Sequence, residues 1–394
     1  MKSLPSPEPR QAAVLARLQG VGLVSNVDRY VSASMLVTLT RQFQAPLTQV
    51  AMVTSGHLLA YGVSQLPWSG VLARRGPVRV MRMTLVVAGA SACSAALAPD
   101  LGWLVVARVI GGAFLAPAVP AALLYVGTRL QGDIRRRGFE GIVSANGIGI
   151  VLAVAIASVA TATNAWRLGY LVSGIMLTGC GLLTSGLQES VTHSEPRSGM
   201  RAVPAETSTE RDGGHLGRTL RVMSLVFVEG AVVVGAVLVL PALAEAAGQV
   251  RVTSAATLAV YGLAMPLTRA AMRRLPLLTT LTAPVRSAAL LLCALPLLLV
   301  VCPPIPALLT TAALLGAAWS ILHPALQDAA TRSWPSRTPT VLALFVSALF
   351  LGSATGTQAF AALAEGSGTL MLAVGCTAGA VLLILVERLS RSLT

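Results

Sequence analysis

Leu18-Gln-Gly-Val-Gly-Leu-Val-Ser-Asn-Val-Asp28-Arg29-Tyr30-Val-Ser-Ala-Ser-Met-Leu-Val-Thr-Leu-Thr40 is an apolar stretch of 23 residues held between Arg17 and Arg41, with two adjacent charges near its middle. At ~1.5 Å per residue a helix of this length covers the ~30 Å hydrocarbon core of a bilayer, and Asp28 falls ~16 Å in from Arg17. Restarting the helix at Tyr30 leaves 11 residues before Arg41, too few to cross, and ending it at Val27 draws Arg17 into lipid. The stretch therefore reads as one spanning helix with a charge close to the membrane midplane. A charge at that depth costs at least ~2.5 kcal/mol, so it is expected to line a water-filled cavity or face a partner.

The rest of the chain agrees with a membrane setting. Hydrophobic residues make up 55% of the 394 residues, charged ones 11%, and the mean hydropathy is +0.75, well outside the range of soluble globular proteins. The formal charge of +14 is spread through short gaps between apolar runs and not gathered on one domain, which excludes a nucleic-acid partner and reads as membrane topology. The five cysteines are isolated within or beside apolar runs, with no disulfide framework or metal spacing. The Pro-rich start Met1–Gln11 has no cleavage pattern after it and reads as a cytoplasmic lead-in.

Apolar runs long enough to span predict an all-α polytopic protein with twelve helices near 14–40, 48–72, 79–98, 102–126, 139–162, 168–188, 221–245, 252–274, 279–302, 305–328, 339–363 and 368–387. The one long polar connection, 189–220, reads as a flexible cytoplasmic linker between an N-terminal six-helix bundle, 1–188, and a C-terminal one, 221–394. Of the 29 Lys and Arg residues, 24 fall on the side of both termini and three (Arg41, Arg167, Arg251) on the other. The positive-inside rule then places both termini in the cytoplasm. Arg29 and Arg108 lie inside helices.

The halves repeat. Leu58-Leu-Ala-Tyr61-Gly62-Val followed by Arg74-Arg75 matches Leu258-Ala-Val-Tyr261-Gly262-Leu followed by Arg273-Arg274, and Ser144-Ala-Asn-Gly-Ile-Gly149 matches Ser347-Ala-Leu-Phe-Leu-Gly352, at offsets of about 200 to 203. Such repeats commonly put a substrate site at the midplane between halves that rock to alternate access.

Taken with this repeat, Asp28-Arg-Tyr in the first helix, Gln65-Leu-Pro-Trp-Ser-Gly70 ending the second, Gly76-Pro-Val-Arg79-Val-Met-Arg82 opening the third, Arg108-Val-Ile-Gly-Gly112 in the fourth and Trp166-Arg167 before the sixth resemble the major facilitator superfamily. Within it they are most similar to the bacterial twelve-helix drug:proton antiporters. The resemblance implies a secondary transporter in the bacterial inner membrane, a link of Arg108 to proton coupling, and a cytoplasmic gate at Gly70, Arg74, Arg75, Gly76 and Arg79. The loop Gly70-Val-Leu-Ala-Arg74-Arg75-Gly76 is one residue shorter than the family pattern and lacks its aspartate. In the fifth helix the antiporter signature survives only as Gly147-Ile-Gly149.

Applying the repeat to Asp28 lands on Glu229, 201 residues on. A carboxylate in a low-dielectric cavity can exchange protons near neutral pH, as a proton-coupled carrier needs. Asp28, Glu229 and Arg108 are therefore the expected proton-coupling residues, gathered between the bundles. With Arg29 they sum to zero charge. Arg29 is set about 100° round the helix from Asp28. His57 and His323 lie within helices and can titrate or be hydrogen-bonded structurally, while His193 and His215 are expected to be solvated in the linker. Asp328, near Arg332 and Arg337, reads as a gate or surface ion pair. Gly352-Ser-Ala-Thr-Gly356 and Gly112 with Ala116 suit close helix packing. Pro117, Pro120, Pro241, Pro266 and Pro324 are expected to bend their helices.

Few amides line these helices, which suits a hydrophobic ligand in an apolar cavity. Arg29, Tyr30, Tyr61, His57, Asn146, Trp319, His323 and Phe345 are the candidate cavity residues. No Walker sequence or hydrolytic constellation appears, so no catalytic residue, cofactor or metal is expected. The expectation is proton-coupled efflux of small, largely apolar compounds by a monomer whose partners are substrate, protons and lipid. A proton-linked importer of a small metabolite is the alternative, and a non-transporting scaffold or sensor a more distant one.

Overall fold

The computed structural model describes residues 9–187, 209–246, 251–274 and 304–367, together with 375, 377–381 and 384. These residues form helices joined by short connections, and seven of the helices are long and apolar enough to cross a membrane. Ten of the twelve expected spans have a helix in place, and those at 279–302 and 368–387 lie wholly or largely outside the described residues. The helices are α1 Pro9–Val31, α2 Leu36–Phe43, α3 Leu47–Arg75, α4 Pro77–Ala96, α5 Leu101–Leu115, α6 Ala118–Arg129, α7 Gly132–Ala162, α8 Trp166–Leu183, α9 Thr209–Glu229, α10 Gly235–Ala246, α11 Arg251–Arg274, α12 Pro304–Ser333 and α13 Thr338–Ser367.

Two boundaries depart from the sequence reading, and a third break falls where a proline was expected to bend the helix. The first span is not one continuous helix: a 3-10 segment, Ala33–Met35, parts α1 from α2. No Pro or Gly lies there. The Ser34 hydroxyl donates back to the Tyr30 carbonyl at 3.4 Å, a bond that bends helices, while Ser32 is held by Tyr170 from α8 at 3.1 Å. The fourth span breaks at Pro117 between α5 and α6, as its proline predicts, whereas Pro241, Pro266 and Pro324 sit inside continuous helices. The end of the stretch read as flexible linker is ordered, because α9 begins at Thr209. There His215, expected to be solvated, stacks on Trp334 and meets the Ser333 carbonyl at 2.9 Å.

Packing reproduces the repeat. In the N-terminal half α1 lies on α7 and α3 on α5; in the other half α9 and α10 lie on α13, and α11 on α12. The halves meet where α3 packs on α13 and α7 on α11. Glycines mark each contact, since a Cβ would strike the facing backbone. Gly149 sits on the Leu23 carbonyl and Gly352 on that of Phe227, while Gly112 sits on His57 and Gly316 on Tyr261. Between the halves, Gly62 packs against Ser347 and Phe350 as Gly262 packs against Gly147 and Ile150. The offsets of these pairs, 200 to 204, agree to about one helical turn.

Gly76 alone joins α3 to α4. Its φ of 77° and ψ of 161° lie in a region essentially reserved for glycine, and Pro77 starts the next helix at once. The shortened loop therefore depends on that residue. Gly76→Ala is expected to cost about 1–3 kcal/mol, read as a lowered Tm of the purified protein, while Gly70→Ala, which faces open space, should leave Tm within a degree or so of the parent.

Candidate functional site

Asp28 does not face the space between the halves. It is fully buried inside the N-terminal half, among α1, α3, α5 and α8. Arg108 of α5, itself 1% exposed, grips it twice: Nη1 donates to Asp28 Oδ1 at 2.7 Å and Nη2 to the Asp28 carbonyl at 2.8 Å. Ser173 of α8 donates to the same Oδ1 at 2.9 Å. The Tyr170 ring covers the guanidinium at 5.6 Å.

His57, expected in the cavity, belongs to this buried cluster instead and is 1% exposed. Its Nδ1 lies 3.2 Å from the Arg108 carbonyl. A carbonyl only accepts, so Nδ1 carries the proton. The second Asp28 oxygen, 3.9 Å from His57, has no hydrogen-bond partner, nor does His57 Nε2. Sequence reasoning put Asp28 and Arg108 together as proton-coupling residues between the bundles and His57 in the cavity, without showing that the three share one buried cluster. It missed Ser173 and Tyr170, small polar groups in an apolar run with no spacing to mark them.

Glu229 occupies the equivalent place in the other half, at the end of α9, and is also fully buried. Its company is different. Where Arg108 would recur, 204 residues on, stands Ala312, and the partner of Glu229 is His323 of α12, whose Nδ1 is 3.3 Å from Oε2. The other carboxylate oxygen has no hydrogen-bond partner. His323 is 20% exposed, stacked on Trp319 at 4.2 Å and beside Phe345 at 5.2 Å. Directly after Glu229 the helix loosens into a π-helical turn, Gly230–Val234, a feature often found at functional sites. Tyr261 of α11, the counterpart of Tyr61 in the repeat, is buried beside Tyr30 and Glu229 with its hydroxyl in no well-formed hydrogen bond.

Arg29 points the other way from Asp28, to the seam between the halves. Its guanidinium lies 4.9 Å from the Tyr61 ring of α3 and 4.7 Å from the Phe350 ring of α13, and these rings are 4.2 Å apart. Nη1 donates to Asn26 at 3.2 Å, and Asn26 in turn donates to Asn146 of α7 at 2.9 Å. Among the described residues no carboxylate pairs with Arg29. The expected neutralisation of two acids by two arginines is thus replaced by one ion pair, one acid–imidazole pair and one arginine held by aromatic faces.

The two ends of the seam differ. At one end Arg41 reaches Glu245 at 3.5 Å, Glu365 accepts from the Thr48 backbone N–H at 2.9 Å, and Gln358 meets Ser55 at 2.6 Å, all across the halves. At the other end Gly70 looks onto open space and Arg74 and Arg75 are exposed, with no acid partner among the described residues. Asp328 forms a surface pair with Arg332.

A family profile described as the Major Facilitator Superfamily matches residues 20–357. The chain is similar to a curated protein named niacin transporter NiaP of Acinetobacter baylyi, 21% identical over 167 residues that span 42% of this chain and 38% of that protein. Among solved structures it resembles a D-xylose–proton symporter (TM-score 0.72, 16% identity, 94% of this chain and 97% of that one). It also resembles an inward-facing bacterial homologue of the human lysosomal transporter Spinster (0.72, 15%, 97% and 96%) and a peptide transporter, POT, in complex with sulfate (0.75, 14%, 97% and 98%). At these identities the likeness to solved structures shows the fold.

Proposed function

The chain belongs to the Major Facilitator Superfamily and is a membrane transporter, not an enzyme, and from that premise we propose that protons drive it, with Glu229 and His323 as their seat. The observation that carries this is the asymmetry of the two buried acids. Protonating Asp28 would strand the buried Arg108 cation, which is costly. Protonating Glu229 strands no fixed cation, and His323, one-fifth exposed, is the group through which a proton reaches it. In this reading Asp28 and Arg108 are a clamp that holds the N-terminal half rigid while the C-terminal half titrates.

The arginine distribution supports cytoplasmic termini, and the resemblance to bacterial antiporters favours an inner-membrane setting, in which the bundles at 1–188 and 221–394 of a monomer move against each other. The side chains that join the halves at the Arg41 end, with Gly70, Arg74 and Arg75 apart at the other, then describe a carrier open to the cytoplasm. Efflux of small, largely apolar compounds is the direction that the resemblance to antiporters favours. A second reading, import, draws support from the relative named as a niacin transporter and from Arg29, an unusual charge for a carrier of neutral drugs.

The test is flux in proteoliposomes under an imposed pH gradient, with niacin and a panel of apolar antimicrobials as substrates. Uptake that runs against the proton gradient supports antiport, and uptake that runs with it supports import. Flux of every compound unchanged by collapsing the gradient would remove proton coupling.

A further inference from the structure

We infer that the transported compound carries one anionic group, a carboxylate or a sulfonate on a small flat apolar body, and that Arg29 binds it. This rests on the reading of the chain as a carrier whose substrate site lies between its halves. Intramembrane arginines are expensive and are normally matched by an acid. Arg108 follows that rule; Arg29 does not. The nearest acid in sequence, Asp28, is turned into the N-terminal half and is already held by Arg108.

The site is built to take an anion. Of the five guanidinium donors, the hydrogen bond to Asn26 uses one, and Nε, though buried, has no partner. An Nε–Nη edge is the fork that receives a carboxylate in two parallel hydrogen bonds. Asn146 accepts from Asn26, which leaves its own NH2 free to donate beside the same spot. Tyr61 and Phe350, one from each half, touch one another and both flank the guanidinium. They give it a cation–π setting and place apolar ring surface beside the anion site.

The number of cations limits the charge. Among the described residues Arg29 is the one cation on this seam at membrane depth without an acid, so a monoanion is matched and a dianion is not. Because Phe350 belongs to α13 and Asn146 to α7, an anion bridging them touches both halves, and its binding would depend on how far the seam is open.

The experiment is ligand-induced thermal stabilisation of the full-length protein in detergent. The probes are benzoate and benzenesulfonate, with benzenesulfonamide and benzylammonium as the neutral and cationic counterparts of similar shape. The expected result is a Tm rise with either anion and none with the other two. Arg29→Gln should weaken anion affinity at least tenfold, and Arg29→Lys should restore part of it, as a point charge without the fork.

Should Arg29→Gln fail to fold, Asn146→Ala and Phe350→Leu carry the test, each expected to weaken anion binding several-fold. The inference is overturned if neither anion stabilises the protein, if benzenesulfonamide stabilises it equally, or if the foldable variants bind as the parent does. No proton gradient enters this measurement. Failure here therefore leaves the role of Glu229 intact, while anion binding retained in Glu229→Gln with no gradient-driven flux would separate the two claims the other way.

Discussion

Arg108→Gln is expected to cost the protein about 3–5 kcal/mol, the usual penalty for breaking a buried ion pair from one side. Three groups lose their partner together: the Asp28 carboxylate, the Asp28 carbonyl and the face of Tyr170 that the guanidinium covers. Asp28→Asn should cost a comparable amount, because it strands the buried Arg108 cation in turn, even though Ser173 and the Asp28 carbonyl keep hydrogen bonds. The informative variant is the double one. With both charges gone, Asp28→Asn/Arg108→Gln should recover much of the loss seen in Arg108→Gln, since a neutral amide pair leaves no uncompensated charge in the bundle. Thermal unfolding of the four proteins, followed by monodispersity in detergent, measures this. A double variant no more stable than Arg108→Gln alone would mean that geometry and not charge holds the cluster together.

The same pair shows where sequence reading succeeded and where it stopped. The depth of Asp28 followed from helix rise and the flanking arginines, and its counterpart Glu229 followed from the repeat. The 100° that separates Asp28 from Arg29 showed that they serve different neighbours. What periodicity does not state is which of the two faces the seam. Helix α1 is covered by α6, α7 and α8, and the segment that continues it meets α10 of the opposite half, so no lipid-facing stripe sets its rotation.

The break at Ser32 was hidden for a related reason. Its cause is a hydrogen bond from Tyr170, 138 residues away in sequence, and a local serine back-bond, neither of which is a composition signal. By contrast, Gly112, Gly352 and Gly356 were legible as close-contact positions from their small-residue spacing, and each sits on a facing backbone. The cage around Arg29 was half visible. Tyr61 was singled out, and Phe350, its partner across the seam, was one apolar residue in an apolar run.

Glu229→Gln is expected to abolish gradient-driven transport, by two orders of magnitude or down to background, while leaving the protein folded. The second half of that statement follows from the site. Glutamine keeps the size and the hydrogen bond to His323, and no fixed charge is left unpaired by the change, so the stability penalty that Arg108→Gln incurs by stranding Asp28 should be absent. The first half follows from chemistry, because an amide cannot take up or release a proton in this range. Exchange of substrate across the membrane at equal concentrations, with no gradient, should persist, since it needs the halves to rock but not the acid to titrate. His323→Phe would keep the stack on Trp319 and lose the imidazole, and should slow gradient-driven flux more than exchange. If Glu229→Gln still transports under a pH gradient at a rate near the parent's, the proton seat lies elsewhere. Asp28 would then have to be reconsidered despite its clamp, with Asp28→Asn as the variant to assay for flux.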